Sequence, residues 1–219
     1  MEHDESFSSP SDNVLRIDSV GGTAGGYRLI LEDGSSFFVL PRFLEGVGFS
    51  EGDELSVEEV RELASLAYRS ELEAAEHKAI EFLARREHTA LQIEQKLLKR
   101  NFSRQVIQDL LPHLTDTNRL NEERYASEWL RVRMRRNPIG PAKAVATLRE
   151  HGVPEGVIRA VLTEYEEEHP GCWVEAAARS VRKMPDRGKI SREKCVQRLY
   201  RRGFSRREVD EIDIGALLG

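Results

Sequence analysis

Apolar positions along this chain follow a pattern that returns every 51 residues, with no gap, through three copies. The register holds at Ala75/Ala126/Ala177, Ile93/Ala144/Cys195, Leu97/Leu148/Leu199, Phe102/Val153/Phe204, Ile107/Ile158/Val209 and Leu110/Val161/Ile212. A period of this length marks a repeated supersecondary unit. Within each copy, Thr89, Gly140 and Ser191 are residues that suit a helix N-terminus, where the first backbone N–H groups lack partners. The apolar positions that follow, Ile93 and Leu97 with their mates, are four apart and share one helical face. Asn101, Gly152 and Gly203 then fall where a helix ends in a residue that tolerates positive φ. Ser103, Pro154 and Ser205 restart the chain, with Glu208 completing a capping box on Ser205, and Ile107, Leu110 and their mates supply another apolar stripe. Each copy therefore predicts three helices, the last two joined by a short turn of helix-turn-helix type.

The texture before the repeats is different. Residues 14–19, 27–32 and 36–40 alternate or run apolar, and Asp33-Gly34 is a hairpin signal, so a small antiparallel sheet is predicted. The glycine-rich segment 21–26 lacks the Lys-Ser/Thr ending and following helix of a phosphate loop, and is expected to be a flexible hairpin loop. Ser56 and Glu59 form a capping box that opens a helical segment to about Glu87, with a break expected near Ala67–Ser70. The fold class is thus mainly α, a tandem array of three three-helix repeats preceded by a small antiparallel β segment. The expected segments are an acidic, Ser-rich disordered tail at 1–12, a β-rich part at 13–56, and repeats at 57–116, 117–168 and 169–219. In the third copy Asp213 stands on the column of Leu111 and Leu162, and Met184-Pro185-Asp186 interrupts the opening helix. That copy is expected to pack less completely or to end early.

Charge is distributed unevenly. Residues 1–76 hold 17 acidic and 5 basic side chains, and residues 77–219 hold 21 acidic and 28 basic. The imbalance peaks in residues 175–208, with 12 Lys/Arg against 4 Asp/Glu. Arg124, Arg131 and Arg135 follow one helix stripe, next to Arg133 and Arg136. Single arginines on long helices keep a repeat protein soluble. A cluster of this size points instead to an acidic partner, nucleic acid or a protein groove. Tyr125 and Trp129 are four apart, a spacing that suits base stacking but fits an aromatic core pair better.

Nothing in the chain assembles a catalytic or metal-binding motif. The six histidines are scattered, and His88 and His151 fall at segment ends or turns that look exposed. The two cysteines, Cys172 and Cys195, form no CxxC pattern, and Cys195 sits on an apolar column. No cofactor, metal or enzymatic activity is expected. With 39% apolar and 32% charged residues and no apolar run of spanning length, no membrane association is expected either. A reducing cytoplasmic setting and a monomeric chain are the corresponding expectations.

Leu120-Asn121-Glu122-Glu123-Arg124-Tyr125-Ala126, the basic run 131–136, Pro138 and Gly140, Leu148, His151-Gly152-Val153 and Ile158 resemble the central repeat of the RecX family, bacterial regulators of the RecA recombinase. The first repeat and the N-terminal sheet are similar to that family too, so the resemblance spans roughly 14–212. Glu122 stands where the family often has Asp. The resemblance implies a non-enzymatic protein that lies along the RecA–DNA filament and restrains recombinase and co-protease activity, touching DNA without sequence preference. The candidate contact residues are Arg124, Arg131, Arg133, Arg135, Arg136, Lys143 and Arg149 in the second repeat, and Arg179, Arg182, Lys183, Arg198, Arg201 and Arg202 in the third. Two other classes fit the same residues: a DNA-binding protein, sequence-tolerant or of helix-turn-helix type, and a generic helical scaffold for a protein partner.

Overall fold

The computed structural model describes residues 14–23, 25–44, 48–185 and 189–218. The expected tail at 1–12 and Asp186 lie outside the described residues. In chain order the strands are β1 (Leu15–Thr23), β2 (Gly26–Leu31), β3 (Ser36–Val39) and β4 (Glu54–Leu55), with a 3-10 turn at Pro41–Leu44. The helices are α1 (Val57–Leu83), α2 (Ala90–Leu98), α3 (Arg104–Asp116), α4 (Glu122–Arg136), α5 (Pro141–Glu150), α6 (Glu155–Glu168), α7 (Cys172–Arg182), α8 (Arg192–Arg201), α9 (Arg206–Asp210) and α10 (Ile214–Leu218). They fall into two compact units. One comprises residues up to 78 with 101–110, and the other comprises 79–100 with 111–219, so the long helices α1 and α3 contribute to both.

In the first unit the strands form one antiparallel sheet of order β3-β2-β1-β4. Ile17, Leu29, Leu31, Val39 and Leu55 project from it onto Leu63 and Ala67 of α1, all buried. Burying each large aliphatic side chain in such a layer is worth about 1.5–3 kcal/mol. The glycine-rich segment is not a loop. Gly21 pairs with Arg28, Gly22 with Tyr27 and Thr23 with Gly26, so the strands run through it to a tight turn at Gly25, whose φ is 109°. Side-chain-free positions are poor strand formers by propensity, but cross-strand pairing outweighs that preference here.

The expected break in α1 does not occur either. Ser56 and Glu59 cap its start reciprocally, and the helix continues through Ser70. The buried Ser70 hydroxyl donates to the Leu66 carbonyl at 2.8 Å and accepts the Leu40 N–H at 3.1 Å, so a residue that competes with helical backbone bonds is satisfied without breaking the helix. Further along, Tyr68 donates to Asp109 at 2.5 Å and Ser103 bonds Glu71, both within this unit.

The second unit carries the repeat architecture. The columns predicted to face inward are buried: Ile93, Ala144 and Cys195, and likewise Leu97, Leu148 and Leu199. Thr89 and Ser191 cap their helices by accepting the N–H groups of Gln92 and Lys194, whereas Gly140 starts α5 without a side-chain cap and with Pro141 at the first helical position. The turn column has φ of 64° at Asn101, 87° at Gly152 and 84° at Gly203, as that spacing demanded. The third copy ends early. Its α9 has 5 residues where α6 has 14, and Asp213, the polar residue on a leucine column, instead accepts the Ala216 N–H at 3.0 Å to start α10. The Ser205–Glu208 capping box forms. The opening helix α7 stops at Arg182, and Met184 just beyond it is buried.

Candidate functional site

Asn121 caps α4 by accepting the Arg124 N–H at 2.8 Å, and the helix ends in the basic turn Arg133, Arg135 and Arg136. Carbonyls left open at a helix C-terminus attract cations. The same holds for Arg179 and Arg182 at the end of α7 and for Arg198 and Arg201 at the end of α8. Two contacts draw these ends together: Lys183 Nζ donates to the Arg136 carbonyl at 3.0 Å, and Arg202 bonds the Asn137 side chain and the Pro138 carbonyl. Lys183, Arg198, Arg201 and Arg202 line one depression of about 350 Å³. Burial, reinforced by the nearby Arg133, pushes the Arg202 guanidinium below its usual range. The Nε atoms of Arg133, Arg179 and Arg202 are buried without a hydrogen-bond acceptor among the described residues. The exposed groups around them, Arg136, Lys183 and Arg201, are a ready contact for phosphate or carboxylate oxygens.

The other candidates are placed differently. Arg124 donates to Glu87 at 2.6 Å and to the carbonyls of Asn118 and Arg119, so most of its donors are committed to the fold. Arg131 makes a forked pair with Glu128 on its own helix, and Arg149 is bonded to Glu155 at 2.8 Å. Arg179 approaches Glu175 at 3.6 Å. Arg135, Lys143 and Arg182 are exposed. The stripe of Arg124, Arg131 and Arg135 thus does not act as one set of free cations, because spacing on a helix cannot reveal acids contributed by the same helix or by the segment before it.

The histidines expected to be exposed are not. His88 is buried, and His151 is held in a row of hydrogen bonds: His88 Nδ1 to Gln92 Oε1 at 3.1 Å, Gln92 Nε2 to the Tyr125 hydroxyl at 2.9 Å, and that hydroxyl to His151 Nδ1 at 2.8 Å. The Gln92 amide donates to the Tyr125 hydroxyl, which lies in turn within hydrogen-bond distance of His151 Nδ1. Burial lowers the pKa of both histidines and raises that of Tyr125. Tyr125 is therefore a core residue, as its spacing favoured. Trp129 is half-buried, with one edge against the His151 ring at 5.9 Å. At the start of α2, Glu122 accepts the Ala90 N–H at 2.8 Å, and burial pushes its carboxyl pKa up. Sequence reasoning passed over Gln92, Arg86 and Glu87; the last two lie in the linker before Thr89, where no periodic column marks them. Among the described residues no group of His, Cys, Asp and Glu is arranged to hold a metal ion, and no helix is long and apolar enough to cross a membrane.

Comparison with known proteins agrees with this architecture. Residues 75–114 match the first three-helix domain of RecX and residues 121–162 the second. The regulatory protein RecX of Halorhodospira halophila is 35% identical over 144 residues, 63% of this chain and 84% of that protein. The regulatory protein RecX of Chlorobium limicola is 29% identical over 140 residues, 64% of this chain and 86% of its own. The crystal structure of a regulatory protein RecX superposes with a TM-score of 0.63 at 22% identity, covering 90% of this chain and 98% of the other. That of RecX from Lactobacillus salivarius gives 0.56 at 22%, covering 68% and 96%. The repeat pattern, the three-helix units and these likenesses together establish that the chain belongs to the RecX family of regulatory proteins.

Proposed function

We propose that this protein regulates the RecA recombinase by binding the RecA–DNA filament through the cationic end formed by α4, α7 and α8, restraining recombinase and co-protease activity without catalysis of its own. The observation that carries the reading is the convergence of Arg133, Arg136, Lys183, Arg201 and Arg202 at three helix C-termini. Helix-dipole complementarity accounts for a cation at each end, worth about 0.3–1 kcal/mol apiece. It does not account for their gathering in one place, where Arg136 and Arg201 stay exposed and offer cations to an anionic partner. A filament of RecA on DNA offers such oxygens repeatedly, from phosphates and from acidic side chains, so binding is salt-sensitive and indifferent to base sequence.

The test is ATP hydrolysis by RecA on single-stranded DNA, which the protein should slow at substoichiometric ratios in a cytoplasm-like buffer. Reversing Arg135 and Arg201 to Glu, both exposed, should leave the circular-dichroism spectrum intact and shift stability by less than ~0.5 kcal/mol. Inhibition should weaken about tenfold or more, since each lost charge-assisted bond is worth roughly 1.5–3 kcal/mol. No slowing by the wild-type protein even at equimolar RecA would sink the reading; slowing untouched by the reversals would move the contact surface elsewhere.

A further inference from the structure

A groove of about 520 Å³ runs beside α4, lined by Trp129, Arg133 and Arg136 on that helix and by Arg86 and Glu87 from the segment before α2. Its size falls within the roughly 300–1,000 Å³ of clefts that hold small organic groups. Three features of its lining are chemically informative. Trp129 is half-buried and packs at right angles to the His151 ring, with an interplanar angle of 90°. The groove is cationic in net terms, because Glu128 on its rim is taken up by the forked pair with Arg131 and Glu87 by its bond to Arg124, both partners lying outside the lining. And the cations Arg86 and Arg136 on its rim are both exposed.

The 51-residue repeat provides an internal control. At the next junction the position of Trp129 is occupied by Ser180, that of Arg133 by Met184 and that of Glu87 by Pro138. There Ser180 is buried and donates directly to the Pro138 carbonyl at 3.2 Å, and Met184 is buried beside it. The same backbone arrangement is thus closed and satisfied in one copy, and open, aromatic and polar in the other.

We propose that this groove takes an unpaired nucleobase of single-stranded DNA. The base stacks on the Trp129 indole, and the flanking phosphates lie against Arg86 and Arg136. A flat π face and cations on the rim match the two parts of a nucleotide. An acidic peptide would use the rim cations but leave the Trp129 face without a stacking partner. Duplex DNA cannot enter, because its bases are stacked and paired. This deepens the reading of a filament-binding regulator by giving the single strand its own seat, and it is tested without RecA.

The wild-type protein is titrated at fixed salt with a short oligothymidylate and with an abasic sugar-phosphate strand of equal length. The oligothymidylate should bind about tenfold more tightly, as expected for stacking one base on an aromatic side chain. It should quench tryptophan emission while the abasic strand does not, Trp173 being buried in α7. Trp129→Ala should bring the affinity for oligothymidylate down to that for the abasic strand, and Trp129→Phe should restore most of it. Equal affinity for the two strands, or unquenched emission on binding, overturns the proposal even if Trp129→Ala fails to fold. So does displacement of the oligothymidylate by an aromatic acidic peptide at lower concentration. If these fail while the slowing of RecA persists, the groove assignment alone falls; if RecA is not slowed but the base is bound, the regulatory reading falls.

Discussion

The second unit contains the same junction twice, and the two copies are held by different means. Where α2 meets the turn after α5, the Thr89 hydroxyl donates to the His151 carbonyl at 2.6 Å. One period on, where α5 meets the turn after α8, it is the backbone N–H of Gly140 that donates to the Arg202 carbonyl, at 2.9 Å, and the Ala142 N–H donates to the Gly203 carbonyl at 3.2 Å. Around the first contact lies the row from His88 through Gln92 and Tyr125 to His151. Their equivalents around the second are Ile139, Lys143, Ala176 and Arg202. One junction is thus a polar network made of side chains, and the other is a close approach of backbone to backbone. A repeat conserves the geometry of a contact while leaving its chemistry free, which is how neighbouring copies acquire different roles.

The largest effect is expected where backbone meets backbone. A Cβ on residue 140 would stand 2.1 Å from the Gly203 oxygen, whereas one on Gly152 would stand 2.7 Å from the side chain of Leu91, which can move. Gly140→Ala should cost about 3 kcal/mol or more, as overpacking against immovable atoms does. Gly152→Ala, at a φ of 87°, should cost about 1–3 kcal/mol. Urea unfolding of both variants checks the order; equal costs would mean that the second junction opens as readily as the first.

A smaller loss is expected from Tyr125→Phe. It removes the hydroxyl between Gln92 and His151 and leaves both half-buried partners without it, at roughly 1–3 kcal/mol. A cost under about 0.5 kcal/mol would show that water replaces the hydroxyl and that the network is no firmer than surface polarity.

The most subtle difference between the junctions concerns pH. Burial holds His88 and His151 below their ordinary value of 6.5 in the folded chain. The unfolded chain therefore takes up these protons first as pH falls through that value, so their contribution to stability is complete above about pH 6.5 and declines below it. Glu122, whose pKa burial raises from 4.5, acts in the opposite sense from that value upward. His151→Asn isolates the histidine part by difference: its melting temperature should fall less between pH 7.5 and 6 than that of the wild-type chain, and parallel curves would assign the slope to other groups.

Much of the helical part was legible because period and chemistry coincide there. The cap at Thr89, the positive φ at Gly152 and the inward face of Ile93 and Leu97 each follow from a local rule, and the three copies corroborate one another. The strand ends at Gly21–Thr23 and Gly26 and the unbroken α1 are not legible in the sequence, because the pairing of β1 with β2 and the seat for the Ser70 hydroxyl are both tertiary. In the candidate site, the basic residues were legible as a group, but not which were already engaged. Arg131 is held by Glu128, which its place on the helix does not reveal, and Arg202 differs from the other cations in its burial against Asn137 and Pro138.

The hydrogen-bond row in the first junction also sets how the chain takes up a charge there. The His88 ring meets the Gln92 oxygen, the Gln92 amide donates to the Tyr125 hydroxyl, and that hydroxyl meets the His151 ring. A phenolic oxygen carries one proton and two lone pairs, so it can donate to a neutral His151 ring or, with the hydroxyl turned, accept from a protonated one while still accepting from Gln92. The row therefore behaves as a compliant splice: it fastens α2, α4 and the end of α5 to one another in either charge state of the ring, and it is chiefly the burial of the charge that opposes protonation.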